Sequence, residues 1–373
     1  MRKKLLFLIP SLKHGGAEKV LVNLVNNLDR EKYDITVLTL FDEGVHKKSL
    51  MPHITYRSFG RHQFRGNTYL FKCFSPTFWW KRIIGDARYD VAVSYLEGPT
   101  SRILSGCTDQ RTRLISWLHS ELNTPQLAAQ GFRSVREARS AYRRFDRVVA
   151  VSQNVRECFL RNLGIERPID ILYNTNETEQ IQEKAQIPVE DARFRTGDVP
   201  AVCSVAKLMK TKGFDRLLTA HKHLLDEGIS HRVYILGVGE EQGFLENQIK
   251  KNGLENSFLL LGFSENPYQY VANCDLYVCS SRREGFSTAV TEALIVGTPV
   301  VSTDCSGARE LLGENDEYGL VVENSEEGVY QGMKRMLSNP ALRAHYKKQA
   351  RLRGSFFSRE RTVKAVEEML DER

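Results

Sequence analysis

Leu276-Tyr277-Val278-Cys279-Ser280-Ser281 runs directly into Arg282-Arg283-Glu284-Gly285-Phe286, and then into Ser287-Thr288-Ala289-Val290-Thr291-Glu292-Ala293-Leu294. The first six residues form an apolar, strand-like run, the glycine marks a turn, and Ser287 is a good N-cap ahead of a helix. A strand feeding a helix through a short turn is the repeating half of a parallel α/β sheet. The same pattern recurs on both sides. Strands are expected at Ala201–Ala206, Arg232–Gly239, Ser257–Phe263, Thr298–Thr303 and Tyr318–Glu323. An earlier series is expected at Leu5–Ile9, Asp34–Leu40, Asp90–Leu96, Thr112–His119, Asp146–Ser152 and Pro168–Asn174. After Leu5–Ile9 and the turn Gly15-Gly16, apolar residues Val20, Leu21, Leu24, Val25 and Leu28 recur at helical spacing.

Residues 177–200 are polar, mixed in charge and poor in aromatics, so they separate the two series. The chain of 373 residues exceeds what one hydrophobic core usually serves. Two doubly wound, Rossmann-like α/β domains are therefore expected, 1–176 and 177–355. An amphipathic helix within about 356–373 is expected to rejoin the first.

Hydrophobic residues at 41% and charged residues at 27% match an ordinary globular chain. No apolar run approaches the ~20 residues that span a bilayer. The basic start followed by Leu5–Ile9 is too short in its apolar part for a signal peptide and reads as a first buried strand. The seven cysteines are scattered and include no C-x-x-C pair, which fits a reducing cytoplasm and suggests neither a zinc site nor a disulfide framework. Residues 1–180 carry 28 Lys and Arg against 18 Asp and Glu, while the remainder carries 25 against 28. The N-terminal half is thus the one that an anionic partner would approach.

A helix N-terminus just after a parallel strand suits a diphosphate. Glu284 on the turn can accept hydrogen bonds from sugar hydroxyls, and Glu292, farther along the helix, can reach a ribose. Two glutamates eight apart are common, but the residues downstream of them are more specific: Gly297-Thr298-Pro299-Val300-Val301, then Ser306-Gly307-Ala308-Arg309-Glu310. In this order the segment resembles the signature of family 4 of the retaining glycosyltransferases of the GT-B fold. Gly15-Gly16-Ala17-Glu18, Val151-Ser152, Tyr173-Asn174, Gly237-Val238-Gly239 and Leu261-Gly262-Phe263 resemble other landmarks of that family, so the likeness extends along nearly the whole chain.

The resemblance implies a GT-B architecture, two Rossmann-like domains facing across a cleft, with the nucleotide-sugar donor held mainly by the C-terminal one. It implies that Glu284 positions donor sugar hydroxyls, that Gly285, Phe286, Ser287 and Thr288 offer N–H groups to the donor phosphates, and that Glu292 binds the ribose. Gly239 and Phe263 would line the same donor site. Lys212 in Ala206-Lys207-Leu208-Met209-Lys210-Thr211-Lys212-Gly213 matches the family's lysine. Lys207 stands where the family usually has arginine, which keeps the charge and loses bidentate geometry. His119 would contact the donor sugar, and Gly16 would let the backbone approach a ligand closely. With cations and helix N-termini facing the diphosphate, neither a metal nor another cofactor is expected.

Two features point to the acceptor side. Arg133, Arg136, Arg139, Arg143 and Arg147 recur every three or four residues, as on a basic helical ridge. Phe59, Phe64, Tyr69, Phe71, Phe74, Phe78, Trp79 and Trp80 are interleaved with Arg61, Arg65 and Lys72. Such a surface suits an anionic membrane face or a lipid-linked diphosphate acceptor. The expected reaction is transfer from a nucleotide sugar, UDP-linked by family habit, to a glycan or lipid-linked acceptor in bacterial surface-polysaccharide synthesis, in the cytoplasm or at the inner membrane face. The alternatives are a sugar-nucleotide epimerase, a non-catalytic nucleotide-sugar-binding protein and an NAD-dependent oxidoreductase. The last is disfavoured because no G-x-G-x-x-G follows the first strand. No nucleic-acid-binding module is recognisable.

Overall fold

The computed structural model describes residues 2–13, 15–63 and 66–372, with only the backbone described at Asn67. The chain divides into two compact units, Met1–Asn176 with Arg359–Arg373, and Glu177–Ser358.

The first unit holds β1 (Lys3–Ile9), β2 (Tyr33–Phe41), β3 (Thr55–Gly60), β4 (Val91–Ser94), β5 (Arg113–Leu118), β6 (Arg147–Ala150) and β7 (Asp170–Ile171). They form one parallel sheet in the order β3-β2-β1-β4-β5-β6-β7. The interior strand β1 has no solvent-facing side along its apolar run: Leu5, Leu6, Phe7, Leu8 and Ile9 are all fully buried, as a sheet covered on both faces requires. β3 was not anticipated from the sequence. It is an edge strand whose residues alternate between exposed and half-buried, so it lacks the continuous apolar run that marks the others. β7 is reduced to two residues within the longer strand expected at Pro168–Asn174.

The helix Arg359–Asp371 closes this unit. Lys3 Nζ donates to Leu370 O at 2.7 Å, the Asp29 N–H to Glu367 Oε1 at 2.8 Å, and the Tyr33 hydroxyl to Asp371 Oδ1 at 2.8 Å. These bonds bring the last helix to the starting edges of β1 and β2.

The second unit holds β8 (Ala201–Val205), β9 (Arg232–Leu236), β10 (Phe258–Gly262), β11 (Leu276–Cys279), β12 (Val300–Thr303) and β13 (Leu320–Val322), all parallel in the order β10-β9-β8-β11-β12-β13. Its core joins Val202, Val233, Val278 and Val301 from the strands to Leu217 and Met333 from flanking helices. The stretch 177–200, which showed no pattern in the sequence, carries one short helix, Thr178–Ala185.

This core also encloses a polar chain. His221 Nδ1 meets His231 Nε2 at 2.8 Å, His221 Nε2 meets Ser257 Oγ at 2.9 Å, and His231 Nδ1 meets the Ile229 carbonyl at 2.8 Å. Burial, with a smaller contribution from His231, pushes His221 down to about 3, and burial lowers His231 as well. Both are bases depressed on folding, so the unfolded chain takes up protons first. Their contribution is complete above the ordinary imidazole value of about 6.5 and is lost as pH falls below it. The urea midpoint should therefore fall between pH 7.5 and pH 5. A His221→Leu/His231→Leu variant should show a smaller fall; an equal fall in both proteins would remove these imidazoles from the acid sensitivity.

Candidate functional site

In the second sheet, neighbours β8 and β11 are separated by two intervening strands in sequence, so their following loops leave in different directions. Open α/β sheets bind ligands at such a switch point, beyond the carboxyl ends of the strands. The turn after β8 ends at Gly213, whose φ of 67° is left-handed; a Cβ there would lie 2.0 Å from the Ser280 carbonyl oxygen. Only glycine lets the two loops approach this closely. Ser280 Oγ donates to Lys212 O at 3.0 Å, and the Arg282 N–H donates to Thr211 O at 2.7 Å.

The result is the Lys212–Glu284 ion pair, Nζ to Oε1 at 2.6 Å, with Ser281 Oγ donating to the same oxygen at 2.6 Å. Burial works against the Lys212 ammonium, and the charge and hydrogen bond of Glu284 outweigh it, so the amine lies above its ordinary value and is charged. The adjacent Arg282 is committed elsewhere: its guanidinium holds Asp215 through two bonds of 2.7 and 2.6 Å.

Beyond Glu284, Ser287 caps the helix Thr288–Val296, its Oγ accepting from Val290 N at 3.3 Å. This gives Gly285, Phe286, Ser287 and Thr288 the turn-then-helix geometry expected of them, at the strand-end edge where a helix N-terminus can receive an anion. The Phe286 side chain packs inward against Phe357, with ring centroids 5.9 Å apart. Glu292 is 7% exposed, and the Tyr268 hydroxyl lies 3.4 Å from its Oε1. It is a buried residue of that helix rather than an exposed one.

Backbone bonds join the next loops. Leu208 N donates to Val238 O at 3.0 Å, Glu241 N to Leu208 O at 3.0 Å, and Gly237 N to Gly262 O at 2.8 Å. A Cβ at Gly239 would lie 2.2 Å from the Leu208 carbonyl oxygen, so close backbone approach explains this glycine without a ligand. Lys207 is exposed on this rim. Phe263 presents aromatic surface, 58% exposed, just beyond β10.

In the first unit, Gly16 opens the helix Gly16–Asn27 after β1. His119 directly follows β5. Its ring lies 4.7 Å from that of Tyr95, and its Nε2 is enclosed without a hydrogen-bond partner among the described residues. Burial pushes the imidazole down to about 3, so it is neutral at physiological pH. Glu97, to which the sequence reading gave no role, accepts from the His119 N–H at 2.9 Å. The signal was there: an acid followed by glycine just beyond an apolar strand, the same arrangement as Glu284-Gly285.

The arginine ridge is not formed. The helix there spans only Val135–Tyr142. Arg133 precedes it and donates to the Cys73 carbonyl at 2.9 Å; Arg139 donates to the Leu163 carbonyl; Arg147 lies on β6 and pairs with Asp170 at 2.9 Å. Regular spacing ran across a helix, a turn and a strand. Of the aromatic set, Phe71, Trp79 and Trp80 are core, Phe64 and Arg65 lie outside the described residues, and Tyr69, Phe74 and Phe78 are 74%, 48% and 43% exposed. Phe74 stacks on Phe78 at 4.5 Å, with Lys72 over Tyr69 and Arg82 over Phe59. A cavity of about 350 Å³, lined in part by Thr77, Asp109, Thr112, Arg144 and Asp146, lies at the opposite edge, where β5 and β6 begin. Ligands of open α/β sheets do not bind there.

Comparison with known proteins agrees with this layout. Residues 14–180 match the family model Glycosyltransferase Family 4, and residues 189–353 match Glycosyl transferases group 1. An N-acetylgalactosamine-N,N'-diacetylbacillosaminyl-diphospho-undecaprenol 4-alpha-N-acetylgalactosaminyltransferase of Campylobacter jejuni is 37% identical over 221 residues, 58% of this chain and 58% of that protein. The chain thus spans little more than half the length of that relative. The amylovoran biosynthesis glycosyltransferase AmsD of Erwinia amylovora is 24% identical over 92% of both chains. Among solved structures, HepE of Anabaena, in complex with UDP and glucose, superposes over 100% of both chains with a TM-score of 0.79 at 22% identity, a likeness of fold. With the two family models following one another along most of its length, and two parallel-sheet units of this kind, the chain belongs to the GT-B glycosyltransferases of family 4.

Proposed function

We propose that this protein is a retaining glycosyltransferase that moves a sugar from a UDP-sugar to a hydroxyl of a glycan or lipid-linked acceptor in bacterial surface-polysaccharide synthesis. The observation that carries the reading is the Lys212–Glu284 pair at 2.6 Å beside the N-terminus of the helix Thr288–Val296. Lys212, exposed Lys207 and the helix N-terminus neutralise the diphosphate as it leaves, so the reaction needs no metal. Glu284 accepts bonds from sugar hydroxyls, Glu292 and Tyr268 hold the ribose end, and Phe263 and the Gly239 loop flank the base. His119, at the end of β5 in the N-terminal unit, contacts the sugar. The Campylobacter relative, whose name specifies a sugar on diphospho-undecaprenol, supports a lipid-linked acceptor.

Such an acceptor lies at a membrane surface, and the first unit has a face suited to one. From Gly44 to Gly85 the sequence holds eight Lys and Arg and not one Asp or Glu. Within this stretch Tyr69, Phe74 and Phe78 are exposed beside Lys72, Lys81 and Arg82. No helix among the described residues is long and apolar enough to cross a membrane. Attachment through this face would be peripheral, aromatic rings entering the headgroup layer and cations facing anionic lipid.

A thermal-shift panel of UDP-, GDP- and ADP-sugars with NAD as control tests the donor. The midpoint should rise with UDP-sugars, and Lys212→Met should weaken that rise and lower kcat/KM by about 100-fold. A shift with NAD alone, or unimpaired turnover in the Lys212 variant, would overturn the reading. For the membrane face, the protein should sediment with phosphatidylglycerol-containing vesicles at low salt and not with phosphatidylcholine alone. Phe74→Ser/Phe78→Ser and Lys81→Gln/Arg82→Gln should each reduce binding by about tenfold; binding that ignores both pairs would exclude this face.

A further inference from the structure

The loop after β4 is held more tightly than a connecting turn requires. Ser94 Oγ lies 3.0 Å from both Thr100 Oγ1 and Ser101 Oγ and donates to the Leu96 carbonyl at 2.9 Å. Thr100 Oγ1 donates to the same carbonyl at 2.5 Å, and Ser101 Oγ reaches Ser116 Oγ on β5 at 3.2 Å. Gly131 closes the loop from outside, for a Cβ there would lie 2.0 Å from the Gly98 carbonyl carbon.

This frame supports Glu97, which is 4% exposed. Burial pushes its carboxyl up, and hydrogen bonds from the His119 N–H and from Ser120 hold it back; the groups that hold it are those of the next strand's end, not a cation. A buried carboxyl is costly unless it is hydrogen-bonded, and here main-chain and side-chain donors at the end of β5 supply those bonds, which ties the carboxyl to that strand end. What it touches is His119, whose ring is fixed by Tyr95 at 4.7 Å and lies near-parallel to Trp117, 21° between planes. His119 Nε2 is enclosed without a hydrogen-bond partner among the described residues. An unpaired buried polar atom in a folded protein calls for a reason.

We infer that Glu97 is a positioning residue: by accepting the His119 N–H it fixes the end of β5 so that His119 Nε2 stands ready to hydrogen-bond a hydroxyl of the donor sugar. The inference rests on the glycosyltransferase reading for its ligand, but the Glu97–His119 contact can be tested without turnover. Glu97→Gln keeps an oxygen that can accept the bond, whereas Glu97→Asp shortens the reach by one methylene and loses it.

With UDP release from a UDP-sugar as the assay, Glu97→Asp should lower kcat by about tenfold or more and leave the KM for the UDP-sugar within about threefold. Glu97→Gln should remain within about twofold of wild type. His119→Ala/Glu97→Asp should be no slower than His119→Ala alone, because the two act through one group. In a histidine-selectively ¹⁵N-labelled protein, the His119 signals, identified by their loss in His119→Ala, should stay neutral down to pH 5 in wild type and titrate at higher pH in Glu97→Asp. A Glu97→Gln variant as slow as Glu97→Asp would make Glu97 a proton or charge carrier and overturn the positioning role. Additive rate losses, or unchanged imidazole titration in Glu97→Asp, would do the same. A wild-type protein that releases no UDP from any UDP-sugar would sink the glycosyltransferase reading, and the imidazole titration would still decide the Glu97–His119 contact.

Discussion

Everything at the candidate site depends on one steric constraint, the close approach of the Gly213 backbone to the Ser280 carbonyl. β8 and β11 are neighbours in the sheet but lie far apart in sequence. Parallel strands cannot be joined by a tight turn, so each continues through its own loop and helix. At the reversal of strand order the two loops leave in different directions and open a space at the strand ends. Left there, a lysine on one loop and a glutamate on the other would be ordinary surface charges. The 2.0 Å to which a Cβ on residue 213 would approach Ser280 O shows how far the loops have been drawn together. Ser280 Oγ and Arg282 N then fasten one loop to the carbonyls of the other.

The first unit uses the same topology with different chemistry. Its order also reverses between β1 and β4, and the glycine turn, Glu97 and His119 follow β1, β4 and β5 respectively. Here the carboxylate faces a backbone N–H rather than an ammonium. The two acids accordingly do different things: Glu284 can exchange its partner for a ligand hydroxyl, while Glu97 sets a backbone. The difference lies in the partner, since an ion pair at a partly open edge can rearrange, whereas a buried backbone amide has no alternative acceptor.

The elements most readable in the sequence were the strands buried on both faces, because they are continuous apolar runs ended by glycine or polar turns. Ala201–Ala206 and Leu5–Ile9 correspond to β8 and β1 within a residue or two. β3 escaped because an edge strand needs no such run, and its Thr-Tyr-Arg-Ser-Phe-Gly reads as a loop. The arginine ridge failed for a complementary reason. A spacing of three or four residues implies a shared face only while the helix lasts, and here it ends at Tyr142. At the site, the motif located Lys212 and Glu284 but could not foresee their direct pairing, which depends on strands remote in sequence. For Glu97 the acid-glycine pair after an apolar strand was legible, but its partner was not, because that partner is the His119 main-chain N–H and a main-chain group leaves no mark in a residue pattern.

The uneven charge of the chain has a physical reading at both scales. The C-terminal part is slightly acidic overall, so it offers an anion no long-range attraction; whatever it does for a diphosphate depends on a few fixed cations and helix N–H groups at short range. Short-range devices of this kind are specific and little affected by salt, because they act within the Debye length of about 8 Å. The acid-free stretch from Gly44 to Gly85 is the opposite case: eight cations in the sequence with no acid among them, and exposed aromatic rings. That arrangement suits a surface of many weak anionic groups, where each cation adds about 1 kcal/mol without needing a defined partner. It is poorly suited to a single small ligand, which would require the buried, hydrogen-bonded side chains found around Lys212. The contrast favours a discrete anion site in the second unit and a diffuse anionic surface for the first.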